Sequence, residues 1–498
     1  PVGAGPVGAA GGDGTPTSTV AGPPPRIAVV EVAGGSPPAL VVRAHERARR
    51  AQVVFAVAGL VFGLASTAVY HRVSGDTWAL RPVLVQVLLL SWLAVPTVIA
   101  LGFPDRRVRM TVWAAYLGAV VLLAASDAVA RAAALDFLIG VVAVPGLFVL
   151  ATAARTLRGA AWFVAPALVV LGLMVAAAYP PLLQLWYGVA LDRSSWILMG
   201  AVVGLPALVG LYGAVVTLLY ARKWASDDTL LILQWWFVLG LTQVILLGTQ
   251  GATAAVWALA PFAVMTLLLL GVALVVRRGP TEPPARLLLL RTFGDRNRSS
   301  RLLRDVTVLW RWIGSVDLIT GTDLATEVLE PHEFLDYLRG RLRRHFVRGP
   351  ADLVRRIDEL DLRPDLDGRY RVNEMLCHDD TWRPALAALV HEVDAVLIDL
   401  RGLTPRRTGV VYEIERLVAE VPMHRVVALT DATTDRDVLR WALDRAAAQA
   451  PADAPVRNDP APALRTVALT GRWSTDLATM LGAVGRAAAR PAITEAGP

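Results

Sequence analysis

Long apolar runs and short amphipathic ones divide this chain near residue 278. Before that point lie eight apolar runs, at about 51–71, 79–101, 108–130, 134–153, 160–186, 195–220, 229–249 and 253–276. Each is long enough to cross about 30 Å of hydrocarbon at about 1.5 Å per helical residue. Lipid offers no partners to backbone N–H and C=O groups, so helix is the open-ended form that spans it. The pattern predicts an all-α transmembrane bundle of about eight helices over residues 44–278. Pro180-Pro181 is expected to end the fifth run early or to kink it.

After a Pro-rich linker at 279–285 the pattern changes. Short apolar runs at Leu287–Arg291, Val316–Ile319, Ala395–Asp399, Val426–Thr430 and Thr466–Leu469 read as strands. Amphipathic stretches at 299–313, 333–346, 381–391, 409–420, 435–449 and 474–487 read as helices. Buried strands alternating with helices predict an α/β domain over 286–490 with a mostly parallel, flavodoxin-like sheet. Within 347–380, Asp365–Gly368 reads as a turn and Tyr370-Arg371-Val372 as an extra edge strand. Residues 1–43, rich in Pro and Gly, and 491–498 read as disordered tails.

Arginine placement orients the chain. Arg43, Arg47, Arg49, Arg50, Arg106, Arg107, Arg109, Arg155, Arg158, Arg222, Lys223, Arg277 and Arg278 fall in one set of loops. The other set holds only Arg72, Arg81, Arg131 and Arg193. Cytoplasmic loops carry the excess of basic residues. A multi-pass protein of the cell membrane with both termini in the cytoplasm is therefore expected. Arg43 to Arg50 precede a run too long for a signal-peptide core, and the opening Pro1 leaves the native N-terminus undefined.

Composition narrows the function. The chain is 55% hydrophobic with a net charge of +7. From Arg278 onward about 32 arginines face about 32 acids, so the basic excess belongs to the apolar half and its flanks. The charge therefore does not point to nucleic acid as a partner. Cys377 is the single cysteine, which excludes an internal disulfide and a CxxC metal site. The dispersed His332, His345, His378, His391 and His424 lack ligand spacing, so no metal is expected. Ionisable residues near mid-depth of the apolar runs are scarce, which favours an anchor or oligomerisation bundle over an ion-coupled carrier.

In an open parallel sheet ligands bind beyond the C-terminal strand ends. There the chain offers Arg291, Thr292, Phe293 and Asp295, then Thr320-Gly321-Thr322-Asp323, then Asp399 and Arg401 with Thr404, Arg406 and Arg407, then Thr430-Asp431. Acids, hydroxyls and guanidinium groups suit a phosphate- or ribose-bearing ligand. Glu413 is the sharpest single candidate, in what reads as the first turn of a helix at the strand-end cleft. A carboxylate there could act as acid or nucleophile in cleaving a nucleotide's glycosidic bond. The competing reading is an ordinary first-turn acid. Cys377 and His378 are adjacent in sequence, a poor geometry for a nucleophile and its base. Arg339, Arg341, Arg343 and Arg344 read as a solvated helix face, or as a contact for anionic headgroups.

Leu287–Phe293, Asp380-Thr381-Trp382, Val393–Asp399 and Gly409…Tyr412-Glu413 together resemble TIR-like and nucleoside-deoxyribosyltransferase-like domains, especially those fused to bacterial transmembrane helices. The resemblance covers about 286–430. It implies a membrane-anchored signalling or defence-type protein that binds, and by implication hydrolyses, a nucleotide such as NAD. Glu413 would be catalytic; Trp382 and the first-strand loop would border the ligand; no cofactor would be required. It also implies self-association. A non-catalytic sensor of the same fold and a transporter with a regulatory domain are the alternatives.

Overall fold

The computed structural model describes residues 24–75, 106–125, 252–276, 283–290, 296–321, 340–365 and 367–489, with scattered positions between 78 and 91 and between 211 and 224. At its centre is a seven-stranded, wholly parallel sheet: β1 (Ala28–Glu31), β2 (Leu287–Leu290), β3 (Val316–Thr320), β4 (Val372–Leu376), β5 (Ala395–Asp399), β6 (Val426–Thr430) and β7 (Ala463–Ala468). The order across it is β1-β7-β6-β5-β2-β3-β4. The helices are α1 (Ala39–Ser74), α2 (Arg106–Ala125), α3 (Ala252–Val276), α4 (Arg296–Trp310), α5 (Pro350–Asp358), α6 (Trp382–Leu389), α7 (Thr408–Glu420), α8 (Arg436–Gln449), α9 (Pro455–Asn458) and α10 (Trp473–Ala488).

The core strands are short runs of Val, Leu, Ile and Ala, buried on both faces; every residue of β2, β3, β5 and β6 is buried. A strand so covered needs a helix layer on each side. Leu288, Leu290, Val396 and Ile398 face a core with α6, α7 and α8. Leu287, Leu289, Leu397 and Val427 face the opposite core with α1, α4 and α10. Without β4 and β1, the remaining five strands follow the flavodoxin-like order; with β4 counted, the domain's own six follow the other common doubly wound order. Either way the order reverses between β2 and β5. The expected edge strand at 370–372 is β4, two residues further on.

The eight-helix transmembrane bundle expected over 44–278 is overturned. Among the described residues one segment, Ala39–Val73, is long and apolar enough to cross a membrane, and a shorter apolar stretch, Val256–Leu268, lies in α3. The runs at 108–130 and 253–276 correspond to α2 and α3, whereas 134–153, 160–186 and 229–249, and most of 79–101 and 195–220, lie outside the described residues. The start of the expected bundle, 44–51, belongs to the α/β domain. Helix α1 starts at Ala39, and Val41, Ala44, Ala48 and Ala51 form a stripe packed into the same core as α4 and α10. Beyond it, α1 packs antiparallel to α3, with Val69 and Val73 against Ala254 and Ala258.

A second correction concerns residues 1–43. Instead of a tail throughout, 28–31 form the edge strand β1, in register with β7 from Ala28↔Ala463 to Glu31↔Thr466. Ala28 N–H donates to Pro462 at 2.9 Å and Val32 N–H to Thr466 at 2.8 Å. The α/β domain is therefore discontinuous. Arg47 of α1 reaches the carbonyl of Trp312, just ahead of β3, so the helix leaves the domain at the sheet's N-terminal edge. Of the helix expected at 333–346, a 3-10 turn at Leu342–His345 is described.

Candidate functional site

In an open parallel sheet an order reversal marks where a ligand crevice is expected, here beyond the C-terminal ends of β2 and β5. Two loops on its β5–β6 side are tied together. Leu400 N–H donates to the Leu429 carbonyl at 2.9 Å, and the Thr434 hydroxyl donates to the Leu400 carbonyl at 3.1 Å. Asp435 N–H donates to Leu403 at 3.2 Å, and the Asp435 carboxylate caps α8 through Asp437 and Val438 N–H. Gly402 has φ of 69°, the left-handed region that disfavours a Cβ. A Cβ there would lie 3.8 Å from Arg407 Nη2 and 3.9 Å from Thr433 Oγ1, so the turn draws Arg407 and Thr433 to one spot.

Asp399 and Arg401, both expected to border a ligand, engage each other. Arg401 donates from Nε to Asp399 Oδ1 at 2.7 Å and from Nη2 to Oδ2 at 2.6 Å, and its backbone N–H donates to Oδ1 at 3.1 Å. The two side chains are 3% and 8% exposed. A planar guanidinium on a carboxylate in two parallel bonds is a rigid, mutually neutralising unit. It fixes the start of the β5 loop.

Glu413 stands differently from expectation. Helix α7 opens at Thr408 and has no acid in its first turn, so Glu413 falls in the second. The positive end of the helix dipole, which fades within one turn, is not what places it. It lies instead on the buried stripe Val410, Glu413, Ile414, Leu417, Val418 and is 3% exposed. Glu415 points away from that stripe and pairs with Arg445 of α8 at 3.0 Å. A carboxylate among core residues is costly to bury, and such positions concentrate at functional sites.

Trp382 opens α6 and packs edge-on against Tyr412 of α7, ring centres 5.4 Å apart. The Arg383 guanidinium lies 5.2 Å from the Trp382 ring and 5.1 Å from that of Tyr412. Gly409 permits the approach, since a Cβ there would already touch Trp382 Cζ2 at 3.9 Å. The structure thus joins Trp382 to the helix that carries Glu413. Tyr412 and Arg383 were missed from sequence, although each is adjacent to a residue singled out. Arg291, Thr292, Phe293 and Asp295 lie outside the described residues.

Cys377 is buried just past β4, and burial pushes its thiol up to about 12, which disfavours a thiolate. His378 stacks on Phe346 at 4.6 Å. Among the described residues no three His, Cys, Asp or Glu side chains converge as metal ligands. Comparison of the chain with family models, curated proteins and solved structures finds no match.

Proposed function

We propose that the α/β domain binds a nucleotide at the crevice beyond β2 and β5 and cleaves its glycosidic bond, with NAD as the candidate substrate. The observation that carries this reading is the carboxylate of Glu413, 3% exposed on the core-facing stripe of the helix that follows β5. A carboxylate held here could serve as an acid toward the leaving base or as a nucleophile toward the sugar carbon. The Trp382–Tyr412 pair beside it offers an aromatic surface of the kind bases stack on. The buried hydroxyls of Thr320 and Thr430 close the ends of β3 and β6.

The domain is held at a membrane in this reading. On α1, Val53, Val57, Leu60 and Leu64 form an exposed apolar stripe, continued on α3 by Val256, Leu259, Leu267 and Leu270. Exposed apolar stripes of this extent mark membrane or protein contact. Arg43, Arg47, Arg49 and Arg50 precede the stripe, and a basic flank of this kind supports a cytoplasmic position for the domain. The activity makes the chain a membrane-anchored signalling or defence-type enzyme that works as a self-associated assembly.

The test uses the full chain, because β1 and α1 belong to the domain. Purified protein is incubated with NAD and released nicotinamide is measured. Release is expected, and Glu413→Gln should slow it about 100-fold or more, the usual contribution of a positioned acid or base. No release at any protein concentration, or release indifferent to Glu413→Gln, overturns the enzymatic reading. Thermal stabilisation by NAD without turnover would instead support a non-catalytic sensor.

A further inference from the structure

At the opposite end of the sheet, the helical residues Leu218–Tyr220 meet the α/β domain at a corner whose backbone is unusual. Trp224 N–H donates to the Leu219 carbonyl and Lys223 N–H to that of Tyr220, each at 3.0 Å. That pair of bonds closes a helix C-terminus and needs a left-handed residue at its next-to-last position, usually glycine. Here the residue is Lys223, with φ of 58°, the one non-glycine residue with positive φ among those described. Lys223 is also the only lysine in a chain whose other basic side chains are arginine or histidine. A side chain retained where its own Cβ is unfavourable points to a role for that side chain.

The ammonium of Lys223 forms an ion pair with Asp361. Beside it, Arg371 donates from Nη2 to the Tyr220 carbonyl at 2.5 Å and lies 3.7 Å over the Tyr220 ring. Arg371 also binds the fully buried Asp365 carboxylate at 2.8 Å. Asp361 leads inward: its N–H donates to Asn373 Oδ1 at 2.9 Å, and Asn373 Nδ2 donates to Asp317 Oδ1 at 2.8 Å. Asp317, 1% exposed within β3, meets Arg286 Nη2 at 3.0 Å. Arg286 immediately precedes β2, and its N–H donates to the Asp394 carboxylate, just ahead of β5, at 2.9 Å.

We propose that the Tyr220–Lys223 corner is a latch: docked on Asp361 and Arg371, it holds the polar chain Asn373–Asp317–Arg286–Asp394 in place, and so steadies the starts of β2 and β5. The inference stands on the fold and does not depend on the catalytic reading. Asn373 and Asp317 at its middle are buried, and a buried polar group left unpaired is costly, so the chain has few alternative arrangements. Release of the corner therefore loosens the starts of both strands together.

Hydrogen–deuterium exchange on the full chain tests it, with Lys223→Gly and Lys223→Arg. Glycine is the better turn residue, so a role confined to the turn predicts exchange that is unchanged or slower. The latch predicts about tenfold faster exchange at 286–290 and 394–399 in Lys223→Gly, through local opening, and parent-like exchange in Lys223→Arg. Unchanged or slower exchange in Lys223→Gly overturns the proposal. Equal acceleration in Lys223→Arg also overturns it, because the charge would then not matter. As a second measurement, Asp361→Asn should raise the rate at which an amine-reactive ester acetylates Lys223 by about tenfold, since it frees the ammonium from its partner. An unchanged rate counts against the latch.

Discussion

Gly485→Ala asks whether α1 belongs to the α/β domain. Gly485 lies near the end of α10, where the chain ahead of α1 crosses it. A Cβ at this position would sit 2.7 Å from Val41 Cγ2 and 2.8 Å from Pro38 Cγ. Carbon atoms at their best separation are about 3.5–4.0 Å apart, so α1 must retreat by about 1 Å. Overpacking of that order costs about 1–3 kcal/mol. Against it stands the helix preference for Ala over Gly, about 0.8–1.0 kcal/mol in a helix interior and less near an end. The expected net is a loss of up to about 2 kcal/mol. The sign is too close to serve alone, so the decisive quantity is the coupling to Val41→Ala. That change by itself removes buried methyl groups and costs about 1–2 kcal/mol. In the Gly485→Ala background it removes one of the two clashing atoms, leaving Pro38 Cγ, so the two effects should fall short of additivity by about 1 kcal/mol. Unfolding of the full chain and the three variants, followed by tryptophan fluorescence, gives the cycle. If Gly485→Ala stabilises by the full helix preference and the two changes add, α1 does not pack on α10 and the discontinuous domain is refuted.

Gly314→Ala should be far more damaging. Its Cβ would lie 2.0 Å from the Ala285 carbonyl oxygen, backbone that cannot swing aside, so the loss should exceed the roughly 3 kcal/mol of ordinary overpacking; retention of parental unfolding temperature would contradict the packing of β2 against this turn. Cys377 should resist iodoacetamide at pH 8 in the folded chain and react on denaturation. Its folded thiol, raised by burial to about 12, stays neutral while the unfolded thiol ionises from about 8.5. The stability this group supplies is therefore complete below about pH 8.5 and is lost as pH rises toward 12. Cys377→Ala should flatten the decline in stability between about pH 8.5 and 10, and an identical decline in parent and variant would count against burial of the thiol.

Sequence exposes what is local and hides what is not. The strands β2, β5 and β6 are legible because each is an apolar run of four residues, and β3 because Leu318 and Ile319 keep it apolar around Asp317, the mark of strands covered on both faces. The edge strand β4 is blurred by Asn373 and Glu374, and its expected position slips by two residues. β1 escapes because its partner is distant: Val30 meets Thr466 across 436 positions, and nothing within residues 24–38 shows that β7 has a free edge. The same limit applies at the site. Asp399 and Arg401 are conspicuous as residues, but the bonds that satisfy one with the other are a matter of three dimensions. Glu413 is misplaced by a turn although the helix is not: a start at 409 or at Thr408 alike leaves it past the first four helical positions. A carboxylate read as a first-turn acid is thereby a second-turn acid in the core.

The two ends of the sheet are linked through β2 and β5. At their starts, Asp394 N–H and Ala395 N–H both donate to the Arg286 carbonyl, at 3.0 and 3.2 Å, and the strands pair from Leu287↔Ala395 to Leu290↔Ile398. At their far ends the order of the sheet reverses and the crevice opens. Every residue between is buried, so neither strand can shift without repacking both cores. In the proposed reading, a ligand beyond the far ends and the corner at Lys223 would act on the same two strands from opposite ends. Coupling between two binding events is reciprocal. If docking of the corner changes the affinity for a nucleotide by some factor, the nucleotide must change the engagement of Lys223 by that same factor. The reactivity of a single amine at the N-terminal edge would then report occupancy of a site at the other end.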